Sequence, residues 1–574
     1  VEIMRGCTQG CRFCQAGMLH RPVRERSVGD IVNQVMAGIE ATGWNEVGLL
    51  SLSTSDYSRL EELLEELTDR LAGRHISVAF PSLRPSTFTE AIGAVETGGR
   101  KSSLTFAVEA GSQRLRDVIN KGLNEDELIE AVACAYRYGW KIVKLYFMVG
   151  LPTERMDDID EGAKLLTRLQ RMVPHGRELH VSVSPFIPKP HSVFAREGFL
   201  SVAELIERRR RLLSRVNRRW IKLSWHDPEM SQIEALLARG SRRMASVVEA
   251  VSGNGGGLES WGGLFDAGRW FNSLEEGCPA WRELLGPIDL KQSLSWDHLR
   301  KGISDRFYSE DMKSAYRGDL LADCRTGECY NCGLMKECER IEADVGIVGG
   351  SLSDEDFTPP LSPPGNRGGR LGEKESIDNT QHRYRLYFTK LLSARYLGHR
   401  DLMNGVIRAL RRAGTPLQYS RGYNPRPKVS HSPALPLGQG SVRLWLDFDT
   451  TGELEAETWL QRWRKTFPTG VKPLVLEEIE KIGRRSEDTS ERQIYRLRFN
   501  RTVKLLHNDD KKLSDSMQEL AGCEADCSGR VMVLQLRRVN GKKADPVAIG
   551  LKLAGVENGG SVKGIKVLSV TRID

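Results

Sequence analysis

Cysteine carries most of the recognisable chemistry in this sequence, and its spacing is uneven. Eleven cysteines lie along 574 residues, and seven of them fall into two tight clusters. Cys7, Cys11 and Cys14 stand in the run CTQGCRFC, with Phe13 just before the last cysteine. Cys324, Cys329, Cys332 and Cys338 stand in DCRTGECYNCGLMKEC. Such close intervals in a large chain favour metal over disulfides. Three thiolates can hold three irons of a 4Fe-4S cubane and leave the fourth iron open to chelate a substrate, whereas sets of four serve closed clusters. Zinc with a distant fourth ligand is the alternative for the first set. The second set makes a closed four-thiolate site, for zinc or a second Fe-S cluster. Cys134 and Cys278 stand alone as core or surface thiols, and the pair Cys523 and Cys527 is left without a role.

The elements that must position the first cluster alternate strand and helix. Strands are expected at 1–5, 46–52, 75–80, 103–109, 141–150 and 178–186. Between them, Val28, Ile31, Val32, Val35, Met36 and Ile39 follow helical spacing behind an N-cap at Ser27. Leu60, Leu63, Leu64, Leu67 and Leu71 mark another helix, with Ser58 and Glu61 placed as a capping box. A helix is expected over 86–97, one opening at Asn124 with Glu127, and one over 157–172. Serial strand–helix units require a parallel sheet with helices packed outside it. The fold class is therefore α/β, a partial (βα)6 TIM-type barrel, and a doubly wound sheet fits the pattern as well. In either, ligands collect at the carboxyl ends of the strands. The Cys7–Cys14 loop follows the first strand directly and lies at that end.

Residues 201–344 read as a mostly helical extension ending in the four-cysteine site. It carries Trp220, Trp225, Trp261, Trp270, Trp281 and Trp296, and the run Glu259–Phe265 is expected to pack into a core. The Gly-, Pro- and Ser-rich stretch 345–382 reads as a flexible linker, and 383–574 as a separate basic α+β domain with a helix near Asp401–Arg412. Net charge is +8, and residues 383–428 hold eleven Lys and Arg against one acid, Asp401. An acidic partner such as RNA, or a merely solvated basic face, accounts for that excess. No apolar run approaches the roughly 18–20 residues that span a bilayer, so no membrane association is expected. Exposed cluster thiolates and absent targeting signals favour the reducing cytoplasm. The sequence opens at Val1 inside a strand, and a preceding segment is expected.

The cysteine loop at the head of the strand–helix series resembles the radical S-adenosylmethionine (SAM) superfamily over about residues 1–200. That resemblance implies a 4Fe-4S cluster on Cys7, Cys11 and Cys14, with SAM chelated at the open iron. One electron, from a donor such as a flavodoxin or ferredoxin, then cleaves a carbon–sulfur bond and yields a 5′-deoxyadenosyl radical that abstracts hydrogen. The family's Gly-Gly-Glu segment after the second strand is replaced here by SLSTSDY, so Ser53, Thr54 and Ser55 would meet the methionine amino group. EAGS resembles the segment whose acid meets the ribose, which implies cofactor roles for Glu109 and Ser112. GLPTE resembles the adenine-side turn and implies the same for Gly150 and Glu154. PFIPKP (Pro185–Pro190) ends the sixth strand.

Longer runs resemble one subgroup, the large members usually preceded by a cobalamin-binding-like domain. They are EAGSQRLRxxINKG (Glu109–Gly122), PKPH (Pro188–His191) and HDPxxSxxExxLxRGxRR (His226–Arg243). No Asp-x-His-x-x-Gly cobalamin motif occurs here, so cobalamin would enter only through a missing N-terminal domain. In the last run, His226, Asp227, Glu234, Arg239, Arg242 and Arg243 form either a ligand-binding face or a salt-bridged structural helix. Phe388–Asp401, Arg408–Lys428 and Leu435–Gly438 resemble a radical-SAM-linked domain of uncharacterised function. Its usual Ser-His-x-Asp reads Gly398-His399-Arg400-Asp401 here, and its usual His between two prolines is Arg426. Three functional readings follow: a radical SAM enzyme modifying RNA or an RNA-associated substrate, a radical methyl- or methylthiotransferase, and a non-catalytic Fe-S or zinc RNA-binding protein.

Overall fold

The computed structural model describes residues 1–80, 83–88, 103–217, 221–261, 263–325, 329–339, 382–420 and 425–479, and the backbone of four strands beyond them. All but the last residue of the expected linker 345–382, most of the expected helix 86–97, Trp220 and Cys523 lie outside the described residues. The chain divides into two compact units, residues 1–35 with 46–365, and 36–45 with 366–574.

The first unit is built on parallel strands laid side by side in sequence order. They are β1 (Met4–Arg5), β2 (Glu46–Gly48), β3 (Ser77–Ala79), β4 (Ser103–Glu109), β5 (Ile142–Val149), β6 (Glu178–Pro185) and β7 (Ile221–Trp225). The Ile3 amide donates to Leu50 at 3.0 Å, the Leu49 amide to Ala79 at 3.1 Å, and Leu83 bridges Phe106 in parallel. From β4 to β7 the parallel ladder is continuous. This order is that of a partial (βα)6 barrel with one strand added. Leu104, Phe106, Val108, Val143, Leu145, Leu179, Val181 and Val183 are buried, at alternate positions along their strands.

Helices return the chain between strands. They are α1 (Gln15–Leu19), α2 (Val28–Thr42), α3 (Leu60–Leu71), α4 (Gln113–Val118), α5 (Glu125–Arg137), α6 (Met156–Arg171) and α7 (Val202–Arg215). The Asn124–Glu127 capping box forms on α5. The expected Ser58–Glu61 box does not form on α3, because the Ser58 amide and hydroxyl are taken by the Glu25 carboxylate and Arg59 occupies the cap position.

The extension departs from expectation in two places. It contributes β7, whose Ile221, Leu223 and Trp225 alternate with Lys222 and Ser224 in the strand period. Its helices α8 (Pro228–Arg239), α9 (Met244–Gly253) and α10 (Ala267–Gly277) close a core of Ile233, Leu236, Val247, Trp270, Leu274 and Trp281. The run Glu259–Phe265 does not enter that core as expected: Trp261 is 70% exposed, and only Phe265 packs against it. Glu259 instead accepts from Arg269 and from the Trp270 indole. A further helix, α11 (Asp305–Arg317), precedes the second cysteine cluster.

The second unit holds an eight-stranded mixed sheet. Its strands are β8 (His382–Lys390), β9 (Val429–His431), β10 (Gln439–Thr450), β11 (Pro473–Glu478), β12 (Arg492–Phe499), β13 (Glu524–Ser528), β14 (Val531–Arg537) and β15 (Val567–Arg572). Leu402, Val406 and Leu410 of α12 (His399–Arg412) and Trp463 of α13 (Ala456–Thr466) pack with Leu386, Phe388, Leu446 and Phe448. No helix among the described residues is long and apolar enough to cross a membrane.

Candidate functional site

The cysteine loop leaves β1 through Gly6, whose φ of 95° and missing Cβ let it lie against the carbonyls of His20 and Pro22. Cys14 caps α1, its Sγ accepting the Gly17 amide at 3.4 Å, and its own amide donates to the Cys11 carbonyl at 3.0 Å. Arg12 points the other way, into the protein, and is fully buried. It pairs with Asp311 of α11 at 2.8 Å and donates to the carbonyls of Asp319 at 2.7 Å, Val118 at 2.9 Å and Asp117 at 3.1 Å. Asn120 adds a second anchor, donating to the Gln9 carbonyl at 3.0 Å. The loop is thus fixed from behind while its thiols stay half-buried.

Burial pushes the Cys7 thiol up to about 12, with Cys11 adding to the rise, and burial raises Cys14 as well. Loading with iron must therefore displace protons. Among the described residues no three His, Cys, Asp or Glu gather round one point, as a single ion requires. A cubane binds each thiolate to a different iron and needs no such gathering. Three thiolates would leave a bound cubane anionic, and two buried cations stand beside the cysteine loop. Arg84, 8% exposed, places Nη1 4.0 Å from Cys11 Sγ and donates from Nη2 to the Lys121 carbonyl at 2.5 Å. Among the described residues its Nε has no partner. Lys121, 5% exposed, pairs with Glu109 at 3.5 Å and its charge favours the Cys14 thiolate. The donor set and its charges fit a three-thiolate 4Fe-4S cluster. Sequence reading did not single out Arg84 or Lys121 for this part. The one available signal was their place: Arg84 shortly after β3, Lys121 within the INKG run.

At the strand ends the expected cofactor residues divide. Thr54 donates to the Leu49 carbonyl at 3.2 Å, and Ser55 accepts the Arg84 amide at 3.1 Å and the Thr87 hydroxyl at 2.6 Å. Ser53, 4% exposed, keeps a hydroxyl with no partner among the described residues. Glu109 ends β4 at a φ of 69°, a left-handed conformation that costs about 1–3 kcal/mol and marks functional positions. Ser112 caps α4 and donates to Asp158 at 2.6 Å. Glu154 accepts the Gly150 amide at 2.8 Å and Arg208 at 2.6 Å, and burial still pushes its pKa up. Ser112 and Glu154 therefore spend their side chains on shaping the loops. Gly150 has a φ of 79°, and a Cβ there would meet Leu200 at 3.1 Å.

Several side chains of the His226–Arg243 run are held by the fold. Asp227 caps α8 through the amides of Glu229 at 2.9 Å and Met230 at 3.0 Å, and Glu234 pairs with Lys189. Arg239 is buried on the carbonyls of Glu197 and Gly286, and burial lowers its pKa to about 10. Arg242 and Arg243 are exposed, and the His226 amide extends the ladder to Val183 at 3.0 Å. Past the end of β6 lies a cavity of about 320 Å³, lined by His191, Arg196, Trp296, Asp297 and Tyr308 among others. Its wall is tied to the cysteine loop by the Phe194 amide, which donates to the Arg12 carbonyl at 3.1 Å.

The second cysteine segment docks on the first, which its sequence did not foretell. Thr8 donates to Asp323 at 2.6 Å, Gln9 to the same carboxylate at 3.2 Å, and Tyr330 to the Thr8 carbonyl at 3.3 Å. The Arg21 guanidinium lies 5.3 Å from the Tyr330 ring centroid. Cys324, Cys332 and Cys338 are half-buried and Cys329 is exposed. Burial pushes Cys324 up to about 11; Arg21 opposes the rise, and Asp323, Cys332 and Cys338 add to it.

Residues 1–166 match the radical SAM superfamily, and residues 383–538 match a family described as an uncharacterised protein conserved in bacteria, DUF2344. An uncharacterised protein of Methanocaldococcus jannaschii is 34% identical over 250 residues, 43% of this chain and 53% of that protein. A tRNA-2-methylthio-N(6)-dimethylallyladenosine synthase of Chlorobium phaeobacteroides is 26% identical over 139 residues, 23% of this chain and 31% of that one. A putative methylthiotransferase of M. jannaschii is 26% identical over 163 residues, 27% of this chain and 35% of that one. The chain spans about half, or less, of the length of these curated relatives. Among solved structures, coproporphyrinogen III oxidase of Escherichia coli aligns with a TM-score of 0.25 and 14% identity over 33% of this chain and 44% of that one. The cobalamin-dependent SAM radical enzyme OxsB aligns at 0.28 and 13% over 60% of this chain and 58% of that one.

Proposed function

We propose, from the match of residues 1–166 to the radical SAM superfamily, that this chain is an enzyme that cleaves SAM reductively and uses the radical on RNA or an RNA-associated substrate. The observation that carries the reading is the Cys7, Cys11, Cys14 loop after β1, with Arg84 and Lys121 buried against it. When bound, the cluster supplies one electron to SAM, whose carbon–sulfur bond breaks to leave a 5′-deoxyadenosyl radical. The protein's own part is to bind, orient and exclude water. Arg12 and Asn120 hold the loop in place. Arg84 and Lys121 offset its negative charge in a site partly shielded from solvent. Ser53 offers an unspent buried hydroxyl to the methionine end of SAM, and Glu109 offers its carboxylate to the ribose end. The cavity at His191 and Trp296 would receive the substrate, and a small electron-transfer protein such as a flavodoxin or ferredoxin would supply the electron.

RNA is supported by the basic stretch 383–428 and by the likeness to a tRNA-modifying synthase. Part of that charge is neutralised internally, Arg383 by Asp449 at 3.0 Å and Arg385 by Asp447 at 2.7 Å. Arg400 and Arg426 remain exposed. The full chain should bind a labelled tRNA transcript in fluorescence anisotropy, with affinity falling about tenfold or more between 50 and 200 mM salt as counterions are released. Affinity indifferent to salt, or no binding at low salt, would exclude the RNA half of the reading.

A second reading, methylthio transfer, is favoured by the docking of the Cys324–Cys338 segment on the cluster loop and by the two methylthiotransferase relatives. A second Fe-S cluster there would serve as the sulfur source. In a Cys7/Cys11/Cys14→Ala variant, metal analysis then finds iron and sulfide; zinc in their place makes the segment structural and removes this reading.

A further inference from the structure

The second unit contains a buried polar cluster with unpartnered groups among the described residues. Lys390, at the end of β8, is 1% exposed and has no ion pair or hydrogen bond to its ammonium among the described residues. Burying an ammonium without a partner is unfavourable. Opposite it in register on β10 is Ser441, and Gln439, two residues before, shares that face of the sheet. Gln439 is 6% exposed and, among the described residues, its Nε2 has no partner.

The same place receives two imidazoles and a helix end. His399 opens α12, and its Nε2 lies 3.1 Å from Nδ1 of His431, with ring centroids 4.6 Å apart. Burial, His431 and Lys390 all act to keep His399 neutral, which sets the lysine within electrostatic reach of the pair. The Gly438 amide donates to the Arg395 carbonyl at 2.9 Å and so joins the Gln439 loop to the segment before His399. α12 has fourteen residues, and its cap residue, Gly398, brings no side chain to its first amides. The acid nearby is Asp401 in the first turn, which is exposed. His431 is exposed too, so the cluster opens to solvent there.

An ammonium, an amide NH2, two imidazoles and helix amides are donors or cations, and such a set suits an oxyanion. We propose that Lys390, His399, His431 and Gln439 form an anion site that takes a phosphate group. This rests on the second unit alone and is independent of the SAM chemistry. The phosphate comes either from a small molecule or from an RNA end, and the two are separable.

The test is calorimetry on the full chain with inorganic phosphate, with AMP, and with a short oligoribonucleotide carrying or lacking a 5′-phosphate. Lys390→Met and Gln439→Leu are compared with wild type, and circular dichroism checks that each is folded. Saturable binding of phosphate or AMP, weakened about tenfold or more in both variants, is the expected result. A stronger preference for the 5′-phosphorylated oligonucleotide identifies an RNA end as the source; tighter AMP identifies a small molecule. Lys390→Met should also melt at a higher temperature than wild type in phosphate-free buffer, because an unpaired buried charge is gone. Absence of saturable binding by all probes, or equal binding by wild type and both variants, overturns the proposal.

Discussion

An Arg12→Met variant is expected to lose about 3–5 kcal/mol of stability in the first unit, the cost of leaving one partner of a buried ion pair alone. Asp311 would keep its place in α11 without its paired cation, and among the described residues one of its carboxylate oxygens already lacks a partner. Burial pushes the Asp311 pKa up and Arg12 holds it down, so removing Arg12 leaves a carboxyl that takes up a proton to stay buried. The carbonyls of Asp117, Val118 and Asp319 would lose their donor as well. The loss should be seen as an earlier first transition in urea unfolding followed by circular dichroism. Iron bound per chain should fall with it, because the same residue fixes the loop of Cys7, Cys11 and Cys14. Replacing both partners, Arg12→Met with Asp311→Leu, should recover part of the stability, since no orphaned charge remains. An unchanged midpoint in the single variant would show that the pair contributes nothing.

The second large effect is expected at Arg84. Its Nη1 is the cationic group nearest Cys11 Sγ among the contacts described, and it is buried where solvent screens little. Reduction adds negative charge to an already anionic cluster, and a fixed cation favours the reduced form. Arg84→Met should therefore lower the cluster's reduction potential and slow 5′-deoxyadenosine formation by about 10–100-fold, the usual effect of losing a group behind a metal ligand. Iron content should stay near wild type, which separates this outcome from failed assembly. Arg84→Lys should restore much of the potential but less of the rate, because a single ammonium cannot also hold the Lys121 carbonyl. A potentiometric titration of Arg84→Met that overlays wild type would contradict the assigned role.

The six expected strands of the first unit were legible because burial alternates along most of them with period two, and the cysteine loop stood out because its spacing is local. The Asn124–Glu127 box was legible for the same reason: its partners are three residues apart. What escaped the sequence depends on partners far along the chain. Thr8 meets Asp323 across 315 residues and Arg84 meets Cys11 across 73, and no periodicity announces such pairs. Ser58 illustrates the converse, a good local signal overridden by Glu25, a carboxylate 33 residues away. β7 was missed because five residues with one strongly apolar aromatic sit among helical patterns on either side. Trp261 was assigned to a core by residue type, and the glutamate beside it went to Arg269 and Trp270 instead. Ser112 and Glu154 sit where a cofactor residue would sit, yet their side chains hold the loops together, which residue order alone does not distinguish.

The most direct test of the central claim is anaerobic reconstitution of wild type and of a Cys7/Cys11/Cys14→Ala variant with iron and sulfide. Reduction in the presence of SAM is then followed by chromatographic counting of 5′-deoxyadenosine. The account predicts product from the wild type alone, with the variant at the level of the protein-free control. A wild-type chain fully loaded with iron that forms no 5′-deoxyadenosine, or a variant that forms as much as wild type, would contradict it.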